Sequence, residues 1–181
     1  MVHADNRPMR WVLPSVVLSA LALAACSPVE DWREVRPPGS GLRLLFPCKP
    51  TSLTRSVVLA GATVELTLLA CAAGGSAYAL KHGDVVDPAR VSPALRVLAA
   101  ASALNIGAEA VAGEPHTVAG MTPNPDARRR QLQGRLPDGR PVREEHLTFA
   151  RGTRVYQLSV IGTSPSAAAT REFLASALLQ P

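Results

Sequence analysis

The chain has 181 residues, 47% of them hydrophobic, 18% charged and 4% aromatic, with a formal net charge of +5. That balance excludes an intrinsically disordered chain and leaves enough apolar material for one core. The length fits a single domain with appendages. The three cysteines cannot all be paired with one another within the chain.

Arg7 and Arg10 precede an apolar run, Trp11–Ala25, which ends Leu23-Ala24-Ala25-Cys26. A basic start, a short apolar stretch and small residues before a cleavage point describe a secretory signal. The run is shorter than the roughly 20 residues that span a bilayer. The ending resembles the bacterial lipobox, in which a thioether-linked diacylglycerol and an N-acyl chain are placed on the cysteine after cleavage just before it. On this reading residues 1–25 are a lipoprotein signal peptide, Cys26 is the lipidation site, and the formal charge falls from +5 to +4. The acyl chains supply more than one anchoring signal, enough for stable attachment. The alternative is a buried Cys26 within an ordinary signal peptide or anchor. Ser27, rather than Asp, follows the cysteine. By the enterobacterial sorting pattern this points to a periplasm-facing protein of the outer membrane more than the inner one.

Cys48 and Cys71 then remain, and an exported compartment favours one disulfide between them. Two free buried thiols are the competing reading. A catalytic dithiol would need Cys-x-x-Cys spacing and a flanking base, which the sequence lacks.

Residues 26–40 hold the lipidated cysteine and a stretch rich in Pro and Gly, read as a tether with Trp32 as a docking point. Residues 41–181 form the predicted globular domain. Leu42–Pro47 reads as a strand ended by proline. Residues 55–60 and 63–71 read as a hairpin turning at Gly61-Ala62, with Val64, Leu66 and Leu68 alternating with polar neighbours. Gly74-Gly75 turns into a strand over 77–82. Asp87-Pro88 starts a helix with Val91, Leu95, Leu98 and Ser102 on one face and a stop at Gly107. Residues 108–126 read as irregular, with a short strand at Thr117–Ala119. Arg128–Leu136, Pro141–Ala150 and Thr153–Ile161 read as three consecutive antiparallel strands, the first turn being Pro137-Asp138-Gly139-Arg140. A final helix runs from Ser164-Pro165 to about Leu179, with Phe173, Leu174, Ala177 and Leu178 as its buried stripe. The fold class is therefore α+β, an antiparallel sheet with helices on it.

The order of these elements, with Phe46-Pro47 opening the domain, the Tyr156–Gly162 strand and the Phe173–Ser176 helix closing it, resembles the Mog1/PsbP-like α/β sandwich. Within it, the chain is similar to small bacterial envelope lipoproteins of the DcrB type. The resemblance covers about residues 41–180. It implies a twisted antiparallel sheet with helices packed on it and a non-enzymatic binding or assembly role, and it carries no active site to transfer.

Catalytic patterns are sparse. His82 and Asp84 lie near a strand end and could join His116 or His146 in a metal or acid/base site. No metal-binding or nucleophile motif accompanies them, so no catalytic residue, metal or cofactor is assigned. His82 and His116 read as solvated. His146 reads as part of an exposed polar row with Glu144 on an alternating strand. Arg128, Arg129, Arg130, Arg135, Arg140 and Arg143 form a basic stretch. It is either a solvated face with cross-strand Arg–Glu pairs or a patch for an anionic lipid or partner. Nucleic acid is excluded as a partner by the compartment and by the lack of stacking aromatics. The expected function is a non-catalytic, lipid-anchored periplasmic module that binds an envelope protein. The alternative is a small-ligand or lipid carrier using a gap between the sheet and the alanine-rich helix.

Overall fold

The computed structural model describes residues 30–180, so the signal segment and Cys26 lie outside the described residues. Its first element falls in the stretch expected as tether. Arg33–Val35 is a strand, β1, pairing antiparallel with β2, Leu42–Phe46. The Asp31 N–H donates to the Pro47 carbonyl at 2.8 Å, and Trp32 packs on the core. From Asp31 onward the stretch expected as tether is thus part of the fold. Partnering with β2 orders it.

A long meander follows. It comprises β3 (Thr51–Leu59), β4 (Ala62–Ala73) and β5 (Ser76–Asp84). Ala60 and Gly61 turn the first hairpin with positive φ of 50° and 77°, the geometry that matches strand twist in a two-residue loop. Asp87 accepts from the Ala89 N–H at a short 3₁₀ turn, Pro88–Arg90, which leads into helix α1, Val91–Asn105. A connection containing the two-residue strand β6 (Glu114–Pro115) leads to β7 (Arg128–Arg135), β8 (Pro141–Arg151) and β9 (Arg154–Gly162). Helix α2 spans Ala167–Ala175, capped by Ser166. It is shorter than predicted. The Ser176 Oγ donates to the Phe173 carbonyl and accepts from the Leu45 N–H. The chain then forms β10, Leu178–Leu179, on the free side of β2. The expected strand at Thr117–Ala119 is only a single parallel bridge from Ala119 to Leu178.

The result is an antiparallel seven-stranded sheet in the order β3-β4-β5-β9-β8-β7-β6, with a small sheet β1-β2-β10 and two helices. Directly paired residues share a face. One face carries Tyr78, Leu80, Leu147, Phe149, Leu158 and Val160 and is covered by α2 and the small sheet. The other receives α1, whose Val91, Ala94, Leu95 and Leu98 pack with Val64, Ala150 and Val155.

Cys48 and Cys71 are joined in a disulfide, with Cα atoms 6.0 Å apart. It ties the β2–β3 connection to β4. Replacing both cysteines with serine should cost about 3 kcal/mol. Urea unfolding would show this as a lower midpoint, matched by adding reductant to the native chain; unchanged midpoints in both would refute it.

Candidate functional site

The sequence-predicted site residues scatter. His82 lies on β5 opposite Tyr156, on the α2 face, while His146 lies on β8 opposite Ser159, on the α1 face. The sheet separates them. Neither is solvated as expected: His82 is 8% exposed and His146 fully buried. Both sheet faces are covered there, so a polar residue in an alternating strand still ends up inside. Burial, and then the Arg154 charge, holds the His82 ring below the ordinary histidine value. His116 is half-buried, its N–H donating to the Ala127 carbonyl. Asp84 remains half-exposed near Arg154. Among the described residues no group of three or more His, Cys, Asp or Glu is placed to hold a metal ion. No described helix is long and apolar enough to cross a membrane.

The basic stretch divides between the two faces. Arg128 and Arg130 sit opposite Thr148 and His146 on the α1 face; Arg129 and Arg143 belong to the other. Arg128 donates to the carbonyls of Pro125 and Gly113 at 2.9 and 3.1 Å. Arg129 pairs with Glu145. Arg130 is buried and donates to Thr148 Oγ1 at 3.1 Å and to the Val111 carbonyl at 3.2 Å. Arg135 donates to the Gly139 carbonyl, and Arg140 pairs with Asp138 at 2.7 Å. Arg143 is exposed.

Beneath α1 runs a polar row; the sequence puts Glu144 and His146 on one face as expected, but that face is buried and not exposed. The Glu144 carboxylate is 6% exposed and meets His146 Nδ1 at 3.1 Å. Gln157 donates to Ser102 Oγ at 3.0 Å and to the Leu98 carbonyl at 3.1 Å, and Lys81 donates to Gln157 Oε1 at 3.0 Å. Burial pushes the Glu144 carboxyl up, but hydrogen bonds from His146 and Ser102 and the His146 and Lys81 charges outweigh it, leaving the carboxyl below its ordinary value. The row fills the space between α1 and the sheet together with Leu95 and Leu98. A cue that the row is buried is Ser102 on the apolar face of a helix.

The other open feature is the β3 edge. Seven of its nine residues are exposed, and the large sheet ends there. Arg55 is its only charge. On the α1 face this edge continues into an apolar shelf: Leu53, 49% exposed, pairs with Leu68, and Ala70 pairs with Ala79. One flank of α1, with Arg96, Ala99 and Ala103, closes toward Arg130 and Leu132 of β7. Val97 and Leu104, both exposed, lie on α1 away from that flank.

No protein-family model, no curated protein and no solved structure gives a significant match to the chain.

Proposed function

We propose that the chain is a non-catalytic, lipid-anchored protein of the bacterial envelope. Cys26 carries the lipid. The domain is a Mog1/PsbP-like sandwich facing the periplasm from the outer membrane. It binds an envelope protein by accepting an extended segment of that protein along β3. The observation that carries this reading is the unblunted β3 edge beside an apolar shelf. Exposed backbone donors and acceptors on such an edge are a template for a further strand. The lipobox ending at Cys26 and the formed Cys48–Cys71 disulfide support the exported location.

The test places a photo-crosslinking side chain at Ser56 on the edge, or at exposed Arg171 on α2 as control, in the full chain expressed in cells. A discrete protein adduct is expected from Ser56 and not from Arg171. Leu53→Asp should reduce it several-fold. No Ser56 adduct, or equal adducts from both positions, would overturn the reading.

A further inference from the structure

The β8–β9 turn holds a charge arrangement that the fold alone does not explain. Arg151 and Arg154 are the last cross-strand pair of that ladder, directly opposite each other and on the same face. Like charges in this relation destabilise a hairpin. The acid beside them is Asp84, the direct cross-strand partner of Arg154 on β5. The Asp84 Oδ2 is 3.9 Å from Arg154 Nε, and the same carboxylate is engaged by the Val86 N–H at 2.8 Å and by the Thr153 side chain. Among the described residues, Arg151 makes no side-chain hydrogen bond or ion pair.

Both guanidinium groups border an open cleft of about 590 Å³, floored by Tyr156 and walled by Gly41, Thr122 and Gln180, with the Asp84 carboxylate on its Arg154 side. Arg154 Nη1 reaches across to within 3.8 Å of where a Cβ on Gly41 would stand. The Tyr156 hydroxyl is already committed to the Ser40 carbonyl, so it holds the floor in place. Thr122 Oγ1 accepts from the Gly152 N–H at 2.9 Å, which leaves its own hydroxyl hydrogen free to donate. Two guanidinium groups and a hydroxyl donor line one cavity, the donor types that recognise a carboxylate or phosphate group.

We infer that this cleft binds the oxyanion of a soluble envelope ligand, a phosphate or carboxylate group held between Arg151 and Arg154. The choice of a soluble source over a lipid head group rests on the proposed anchor at Cys26. The chain enters the fold beside Pro47, at one end of β2, whereas the cleft lies at Gly41, at the other end. Five strand residues separate the two by roughly 17 Å, so the cleft lies at the end of β2 away from where the chain enters the fold.

The test uses the full chain with inorganic phosphate and acetate as probes. Calorimetric titration at low salt should give saturable binding. It should weaken about tenfold or more in Arg151→Gln and Arg154→Gln, the loss of one charge-assisted contact, and stay unchanged in Arg143→Gln. Phosphate should raise the melting temperature of the native chain but not of the double variant. In its absence, Arg151→Gln should melt no lower than the native chain, because a like-charge contact is relieved; this separates loss of binding from loss of fold. No saturable binding of either anion, or equal weakening by Arg143→Gln, would overturn the site. Flotation with phosphatidylglycerol vesicles distinguishes the source. Vesicle binding that needs Arg151 and Arg154, with no binding of free phosphate, would overturn the soluble assignment. Failure of the Ser56 crosslink would leave these outcomes untouched.

Discussion

Phe173→Ala is expected to lower the free energy of unfolding by about 4 kcal/mol, the range for emptying a buried aromatic site. Phe173 is fully buried in α2. Its ring meets Phe46 edge-on at 5.1 Å between centroids and Tyr78 at 5.4 Å. Those neighbours belong to the small sheet and the large sheet. One side chain therefore joins three layers, alongside Leu174 and Leu179, which are buried in the same core. The shortness of α2, nine residues, sharpens this, since a helix of that length has little stability of its own. Urea unfolding followed by tryptophan emission would report the change, Trp32 lying at the edge of the same core. A loss below about 1 kcal/mol would show that the site collapses or that α2 is not packed as described.

Glu144→Ala should cost about 3 kcal/mol, the scale for removing one partner of a buried hydrogen-bonded charge. The substitution strands His146 Nδ1, whose ring already has Nε2 unpartnered among the described residues, and it removes the carboxylate charge beside Lys81. Glu144→Gln keeps the volume and an acceptor oxygen and should cost clearly less. The pH response separates the charge from the shape. The folded carboxyl sits below its ordinary value of 4.5, so its contribution is complete above about pH 4.5 and is lost as the pH falls through the lower folded value. Native protein should therefore lose stability more steeply below pH 4.5 than Glu144→Gln does. Parallel pH profiles for the two would count against an ionised Glu144 beneath α1.

The elements legible in the sequence were those whose pattern is local. Val64, Leu66 and Leu68 alternate with polar residues, and β4 is there; Val91, Leu95, Leu98 and Ser102 share a helix face, and all four are buried. The missed elements depend on partners distant in the chain. Arg33-Glu-Val has no strand pattern of its own among its prolines and glycines, and β2 supplies the hydrogen bonds. Leu178 and Leu179 continue a helical stripe in sequence, yet the open side of β2 draws them into a strand. The Glu144–His146 pair was misread for a related reason. Period-2 alternation identifies which residues share a face but not whether that face is wet. Between Glu144 and Ala150 the strand is covered on both sides, so Glu144, His146 and Thr148 are buried and do not form an outer row. The arginines illustrate the reverse. A run of positive charge in one dimension became, after pleating, two faces and a set of carbonyl and carboxylate contacts.

The Cys48–Cys71 bridge has a mechanical consequence. Tension arriving from an anchor at Cys26 would enter the fold at Asp31, whose backbone bond grips Pro47, one residue before Cys48. From Cys48 the backbone runs within three residues into β3, the strand proposed to hold the partner, and the disulfide ties that same corner to β4. A pull between membrane and partner would thus run largely along covalent bonds, by a route that bypasses α1, α2 and most of the β-ladder. The remaining strands could stay at rest while the molecule acts as a link under strain, the disulfide holding the loaded corner against β4.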